Sequence, residues 1–273
     1  MSHHSRMTAC IAGLTLSVAS LGAFAAFSGE AETTALLSAT GLQSTIVIET
    51  LDGHERYVFN EERAATRFCP ASTFKVANTL IGLDFGAVSG NGVEFEWDGT
   101  DRGVDAWNRD QTLASAIRVS CVWCYQRVAR QVGRESYEQT LAEIDYGNAV
   151  IGSEVDQFWL DGSLRISADE QIRFLRRLRQ SPAPFSREQM AVLDDIMTIH
   201  TDAGYTLRAK TGWTGAGQHI GWYVGSLQSD TDTWLFAMNF DMYEADEASL
   251  RQSLTLDALR TLGILPADWR VPD

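Results

Sequence analysis

Short apolar runs of β-branched and aromatic residues predict strands near both ends of the chain. Toward the N-terminal end, the runs 44–50 and 56–60 are rich in β-branched and aromatic residues, flank the turn dipeptide Asp52-Gly53 and predict a hairpin. Toward the C-terminal end, the same kind of pattern occurs in YTLRAK, IGWYVGSL and TWLFAMNF. We expect strands from both ends to share one antiparallel sheet.

The middle of the chain has the apolar spacing of helices. It predicts one helix from Ala71 to Leu83 and another from Thr112 to Val132 that breaks near Ser120, and a last amphipathic helix is predicted over about 247–262. Two capping boxes start further helices: Ser167-x-x-Glu170 and Ser186-x-x-Gln189. The fold class is therefore α+β, an α/β sandwich with a central antiparallel sheet built from both chain ends, flanking helices and an inserted helical lobe.

Composition limits the classes of partner. The chain has 273 residues, 45 % hydrophobic and 21 % charged, which are ordinary values for a globular protein. Its formal net charge of −14 disfavours binding to nucleic acid and to anionic membranes. A small anionic ligand would need a local basic pocket.

The first 25 residues have the layout of a secretory signal peptide. A short polar start with Arg6 precedes an apolar run, and Ala23-Phe24-Ala25 fits the small-x-small cleavage rule. The mature chain, residues 26–273, is expected to form a single domain. No later stretch is long and apolar enough to span a bilayer, so we expect an exported protein with no membrane attachment after processing.

Three cysteines remain in the predicted mature chain, at Cys69, Cys121 and Cys124. In an oxidising compartment this odd number allows one disulfide and one buried thiol. The Cys121-x-x-Cys124 spacing is also that of thioredoxin-like redox motifs, but the buried strand that precedes such motifs is missing. The sequence has no HExxH motif and no clustered His, so no metal site is predicted.

Lysine is rare, since the 22 basic residues include only Lys75 and Lys210. A buried amine can lose its proton and act as a base, whereas a guanidinium cannot, so both lysines are candidates for catalysis. Ser72 precedes Lys75 by three positions in the first turn of a predicted helix, where the two side chains share a face and free backbone N–H groups favour negative charge. The alternative is a capping Ser72 and a solvated Lys75.

Other polar groups accompany this pair. Lys210-Thr211-Gly212 closes the predicted strand YTLRAK, and Gly212 would let backbone approach a ligand closely. Ser120 lies at a predicted helix start, where a plain N-cap is the alternative role. Trp159 offers a large apolar wall with one N–H donor, or simply a buried aromatic ring.

Five linked motifs resemble those of the class D β-lactamases, the oxacillinases, and the resemblance runs across the whole mature chain. They are Ser72-Thr73-Phe74-Lys75, Ser120-x-Val122, Tyr146-Gly147-Asn148, Trp159-x-x-Gly162 and Lys210-Thr211-Gly212. This resemblance implies a serine β-lactamase/penicillin-binding transpeptidase-like fold. It also implies a periplasmic enzyme, monomeric or homodimeric, that hydrolyses penicillins and oxacillin-type β-lactams and confers resistance to them.

The resemblance also implies a role for each site residue. Ser72 would form the acyl-enzyme, and Lys75, carboxylated by CO2 or bicarbonate, would be the general base in a pocket of Val122, Trp159 and Leu160. Ser120 and Lys210 would relay protons. The backbone N–H groups of Ser72 and Trp213 would form the oxyanion hole. Thr211 and Arg251 would bind the substrate carboxylate, and Gly212 is a further substrate-binding residue.

The sequence departs from the family pattern at its cysteines, and we expect a disulfide from Cys69 to Cys121 or Cys124. Two rival functions share the motifs: a β-lactam sensor that stays acylated, and a penicillin-binding DD-transpeptidase. A sensor would be tethered by membrane helices, and a transpeptidase needs no carboxylated lysine. A Ser-His-Asp hydrolase is disfavoured because GxSxG is absent and no motif surrounds His200 or His219.

Overall fold

The computed structural model describes residues 19–181, 183–215, 217 and 219–272. The predicted signal peptide lies mostly outside the described residues, and its cleavage after Ala25 stays a prediction. Among the described helices, none combines the length and hydropathy needed to cross a membrane.

The elements are as follows, in chain order. The strands are β1 Ser44–Thr50, β2 Arg56–Phe59, β3 Val93–Phe95, β4 Gln111–Thr112, β5 Thr198–Asp202, β6 Tyr205–Trp213, β7 Ile220–Gln228 and β8 Thr233–Asp241. The α-helices are α1 Ala19–Ala39, α2 Glu61–Ala65, α3 Lys75–Asp84, α4 Leu113–Arg118, α5 Val122–Val132, α6 Arg134–Glu143, α7 Ala168–Gln180, α8 Arg187–Met197 and α9 Leu250–Thr261. Short 3₁₀ helices span Ala71–Phe74, Asp105–Trp107 and Ala245–Ser249.

A six-stranded antiparallel sheet has the order β2-β1-β8-β7-β6-β5. Strand β1, near the N-terminal end of the chain, pairs with β8, near the C-terminal end, and Val47 lies opposite Ala237. Strands from both chain ends therefore build one sheet. Most of the chain between β2 and β5 forms the inserted helical lobe, while α2 and α7 from this part of the chain pack on the sheet. The predicted fold class is confirmed.

Helices cover both faces of the sheet. Ile46 and Ile48 pack on one face with Leu259 of α9, while Val47 packs on the other with Ile172 of α7. All seven residues of β1 are therefore buried, as expected for a central strand with helices on both sides. A third cluster fills the helical lobe around the ring of Phe74.

Most predicted element boundaries are close to the observed ones. Both capping boxes are present, at Ser167 and Ser186. The predicted helix from Ala71 is a 3₁₀ turn followed by α3. The strand carrying the Lys210 motif does not close there but continues to Trp213. The break near Ser120 is present, but Cys121 is the N-cap of α5, so the N-cap alternative for Ser120 is wrong.

Candidate active site

Ser72 and Lys75 meet at the junction between the 3₁₀ turn and α3. Lys75 Nζ donates to Ser72 Oγ at 3.0 Å, as the i, i+3 spacing predicts. The residue before Ser72, Ala71, has a φ of 47°, which for a non-glycine residue is a strained, left-handed backbone. Neither alternative holds, because Ser72 caps no helix and Lys75 is fully buried.

Lys75 lies in an apolar environment. Its side chain is 0 % exposed, and burial lowers the pKa of the amine to about 7. Lys75 Nζ lies 5.2 Å from the centroid of the Tyr125 ring, whose hydroxyl hydrogen-bonds with Thr79 one helical turn further on. A substantial fraction of this amine is therefore neutral at physiological pH, as a proton acceptor must be.

The second lysine lies on β6 and binds the serine between α4 and α5. Lys210 Nζ donates to Ser120 Oγ at 2.5 Å and to the carbonyl oxygen of Thr211 at 3.0 Å. The pKa of Lys210 is well below its usual value, first because the amine is buried and then because Lys75 and Arg251 add positive charge. The structure thus brings the two lysines into one cluster, although they are 135 positions apart in the sequence (210 − 75).

Arg251 adds a third basic side chain to the two lysines. Its Nη1 donates to the carbonyl oxygen of Gly212 at 2.9 Å, and burial lowers its pKa. Within the described ranges, no carboxylate forms an ion pair with Lys75, Lys210 or Arg251. In a protein of net charge −14, this is a local basic site suited to an anion. Thr211, whose hydroxyl accepts from Lys210 Nζ at 3.2 Å, also lines a cleft with Arg251.

Gly212 brings β6 against the nucleophile turn. A Cβ atom there would lie 2.9 Å from the carbonyl oxygen of Pro70, 3.1 Å from Cγ2 of Thr73 and 3.2 Å from Cβ of Trp222. The sequence suggested a close approach to a ligand, and the structure adds a close approach to the backbone that carries Ser72. Trp213 follows at 39 % exposure, at the end of the strand.

The methyl group added in Gly212→Ala must push β6 away from the 3₁₀ turn that carries Ser72. We therefore expect kcat/KM of the reaction at Ser72 to fall about tenfold and the free energy of unfolding to fall by about 1–3 kcal/mol. Steady-state kinetics and thermal unfolding measure the two effects. Gly86→Ala is the control, because it has a φ of 67° but no atom within 4 Å of the added Cβ. It should lose stability and keep its activity. Equal kcat/KM in the two variants would contradict this role for Gly212.

Trp159 packs beside the nucleophile helix with an unsatisfied donor. Its ring is fully buried and lies 5.6 Å, centroid to centroid, from that of Phe74, the residue before Lys75. Among the described residues, its Nε1 is buried and has no hydrogen-bond partner. Leu160 packs against the same cluster, and Val122 is half-buried in the first turn of α5. This N–H is free to donate to an acceptor that the protein chain does not supply.

Tyr146-Gly147-Asn148 holds the loop that carries Trp159. Asn148 donates to the carbonyl oxygen of Ser163 at 2.9 Å and accepts from the backbone N–H of Arg165 at 2.9 Å. Gly147 has a φ of 56°, and a Cβ there would lie 2.1 Å from the carbonyl oxygen of Arg165. This motif therefore supports the site without contacting the two lysines.

The cysteine pairing differs from the prediction. Cys121 is bonded to Cys124, and Cys69 is a buried free thiol, so the predicted bond from Cys69 to either partner is wrong. As N-cap of α5, Cys121 has its Cα 5.5 Å from that of Cys124, a normal span for a disulfide. The Cys69 thiol instead donates to the carbonyl oxygen of Trp159 at 3.1 Å. The Cys121-x-x-Cys124 spacing, considered above only as a redox motif, is the sequence signal for this bond.

Three polar side chains near the site are not indicated by any of the sequence motifs above. The Tyr137 hydroxyl donates to Asn78 Oδ1 of α3 in the lobe core, and the Tyr125 ring lies beside Lys75 Nζ. His200 packs against the ring of Trp269, and His219 packs against that of Tyr243.

Comparison with known proteins gives consistent matches. Residues 30–260 match the family described as penicillin binding protein transpeptidase domain. The chain is 41 % identical over 225 residues to β-lactamase OXA-48 of Klebsiella pneumoniae, covering 82 % of this chain and 85 % of that protein. It is 34 % identical to the probable β-lactamase YbxI of Bacillus subtilis, covering 92 % and 96 % of the two chains.

Solved structures agree. The class D β-lactamase YbXI from Nostoc has a TM-score of 0.81 and 38 % identity, covering 84 % of this chain and 98 % of its own. The class D β-lactamase FUS-1 (OXA-85) from Fusobacterium nucleatum has a TM-score of 0.82 and 35 % identity, covering 85 % and 98 %.

Proposed function

The chain belongs to the class D β-lactamases, and from that premise we propose that Ser72 is the nucleophile with which it hydrolyses β-lactam antibiotics. One observation carries the assignment of the site: the fully buried Lys75 amine, with a pKa of about 7, donates to the Ser72 hydroxyl at 3.0 Å. A nucleophile and a proton acceptor in direct contact are what serine acylation requires.

Acylation forms a bond from Ser72 Oγ to the lactam carbonyl carbon and breaks the lactam C–N bond. The Ser72 proton passes through the basic group at position 75, and Ser120 and Lys210 deliver a proton to the leaving nitrogen. We assign the oxyanion hole to the backbone N–H groups of Ser72 and Trp213. The close approach of β6 to the 3₁₀ turn at Gly212 supports this assignment, because it brings the two backbone segments together. Water then breaks the ester by attack on the same carbon.

Arg251 and Thr211 bind the carboxylate of the substrate in this proposal. Arg251 and Thr211 line one cleft, and the Thr211 hydroxyl accepts from Lys210 Nζ at 3.2 Å. The guanidinium has only backbone carbonyl oxygens as partners in the described part of the chain. A bound carboxylate would compensate a buried positive charge that otherwise has no counter-ion. Charge-assisted hydrogen bonds of this kind fix orientation as well as affinity.

We further propose that Lys75 is carboxylated by CO2, and the residues present fit such a group. A neutral, buried amine is the form that adds CO2, and the unpaired Nε1 of Trp159 would donate to the resulting carboxylate. Half-buried Val122 and Leu160 would complete the pocket. The negative charge would also balance the nearby Lys210 and Arg251. When bound, the carboxylate supplies general-base chemistry for acylation and deacylation.

The test is penicillin turnover by the purified enzyme, measured with and without added bicarbonate. We expect multiple turnovers, with a rate that rises with bicarbonate after the enzyme has been depleted of CO2. A burst of one equivalent without a steady state would instead identify a sensor. Ser72→Ala should show neither burst nor turnover.

The pKa of Lys75 predicts how recovery depends on pH. Below about pH 7 the amine is an ammonium, which cannot add CO2, and its neutral fraction falls about tenfold per pH unit. After acid treatment to remove CO2, we therefore expect the rate of reactivation at fixed dissolved CO2 to fall about tenfold per unit below pH 7 and to level off above it. Stopped assays of activity against time measure this rate. A pH-independent rate between pH 5 and pH 7 would contradict a neutral amine as the reacting form.

A further inference from the structure

Ser120 is held in an unfavourable backbone conformation between two helices. Its φ is 53°, in the left-handed region that a non-glycine residue rarely adopts. The Ser120 N–H donates to the carbonyl oxygen of Ile117. The N–H of the next residue, Cys121, donates to the carbonyl oxygen of Ala116. This conformation directs the hydroxyl to Lys210 Nζ at 2.5 Å. A strained φ of this kind persists only when the surrounding structure prevents Ser120 from adopting a negative φ.

The next four residues form a covalently closed turn. Cys121 is the N-cap of α5, its Sγ accepts from the N–H of Cys124 at 3.3 Å, and the two side chains are bonded and fully buried. A disulfide that joins residues only three apart restricts the unfolded chain little, because this stabilisation grows with the length of the closed loop. Its effect is therefore expected to be local, on the first turn of α5.

The closed turn is flanked by one contact to each catalytic lysine. Ser120, immediately before it, binds Lys210. Tyr125, immediately after it, presents its ring to Lys75 Nζ at 5.2 Å. A change in the path of this turn would move both contacts at once.

We propose that the Cys121–Cys124 disulfide is a positioning element of the active site, which locks the first turn of α5 and so holds Ser120 against Lys210 and Tyr125 against Lys75. The bond forms when two thiols lose two protons and two electrons, and a protein dithiol–disulfide oxidant of the export compartment accepts the electrons. The proposal rests on the β-lactamase function assigned above.

The first test separates the covalent bond from the helix cap. In Cys121→Ser/Cys124→Ala, the serine keeps a side-chain oxygen that can cap α5, but no disulfide can form. We expect kcat for a penicillin to fall about tenfold or more, KM to change less than about threefold, and the unfolding temperature to change little. Cys121→Ala/Cys124→Ala, which loses the cap as well, should be at least as impaired. Wild-type kcat in the serine variant would overturn the proposal.

A second test uses the unchanged sequence, so that it holds even if the variants fold poorly. The purified exported enzyme is unfolded in guanidinium chloride that contains dithiothreitol, which is oxidised to its cyclic disulfide as the protein gains two thiols. It is then refolded with or without the reductant. We expect the reduced form to have three titratable thiols and the lower kcat, and reoxidation to leave one thiol and restore kcat. Equal kcat in both forms, or three thiols in the active exported enzyme, would refute the role. Absence of turnover in the untreated wild type would instead reject the proposed function.

Discussion

Replacement of Lys75 by Arg is expected to lower penicillin turnover by at least about 10³-fold, although the positive charge is kept. Loss of general-base catalysis alone removes about 10²–10⁴-fold. An arginine cannot supply the neutral nitrogen, because its guanidinium stays protonated in proteins. The site also offers the larger group no room, since the Lys75 side chain is 0 % exposed and faces the Tyr125 ring. Steady-state hydrolysis of a penicillin, followed by absorbance, measures the effect.

Lys75→Met is the matched control for the steric part of this effect. Methionine is flexible and close to lysine in length, so it should fill the buried site without the amine. We expect both variants to be inactive and the methionine variant to be the more stable of the two by thermal unfolding. An active Lys75→Met enzyme would show that the amine is dispensable, and an active Lys75→Arg enzyme would end its assignment as a base.

The sequence could predict those parts of the fold that depend on local patterns. The β-branched and aromatic runs of β1 and β8 and the capping boxes at Ser167 and Ser186 each act over a few residues, so they are visible without tertiary information. The use of lysine at only two positions indicated the catalytic amines for a chemical reason, since arginine cannot replace a titrating group.

Features that arise only on packing could not be predicted in this way. The left-handed backbone of Ala71 and of Ser120 is imposed by the contacts around them and opposes local preference. The ring of Tyr125 reaches Lys75 because α5 packs against α3, which no spacing within either helix reveals. The predicted disulfide is wrong for a different reason: it links two helices, whereas the CxxC spacing allows a bond within one turn.

Trp159→Phe is expected to make turnover depend strongly on added bicarbonate. The change keeps a buried aromatic ring against Phe74 and removes only the unpaired Nε1 donor. A hydrogen bond to a charged group contributes about 1.5–3 kcal/mol. At about 1.4 kcal/mol per tenfold, its loss should weaken retention of CO2 on Lys75 by about 10- to 100-fold. Activity in ambient buffer should fall by a similar factor and recover as bicarbonate is raised.

The control is Trp222→Phe, at a tryptophan that is equally buried but whose Nε1 already donates to the carbonyl oxygen of Cys69 at 2.9 Å. This variant should lose stability, because a buried acceptor loses its partner, yet show no added response to bicarbonate. Turnover against bicarbonate concentration and carbon-13 NMR of enzyme equilibrated with labelled CO2 measure the two effects. A Trp159→Phe enzyme with a wild-type bicarbonate response would show that this N–H does not hold the group on Lys75, and the reason for its being buried without a partner would then lie elsewhere.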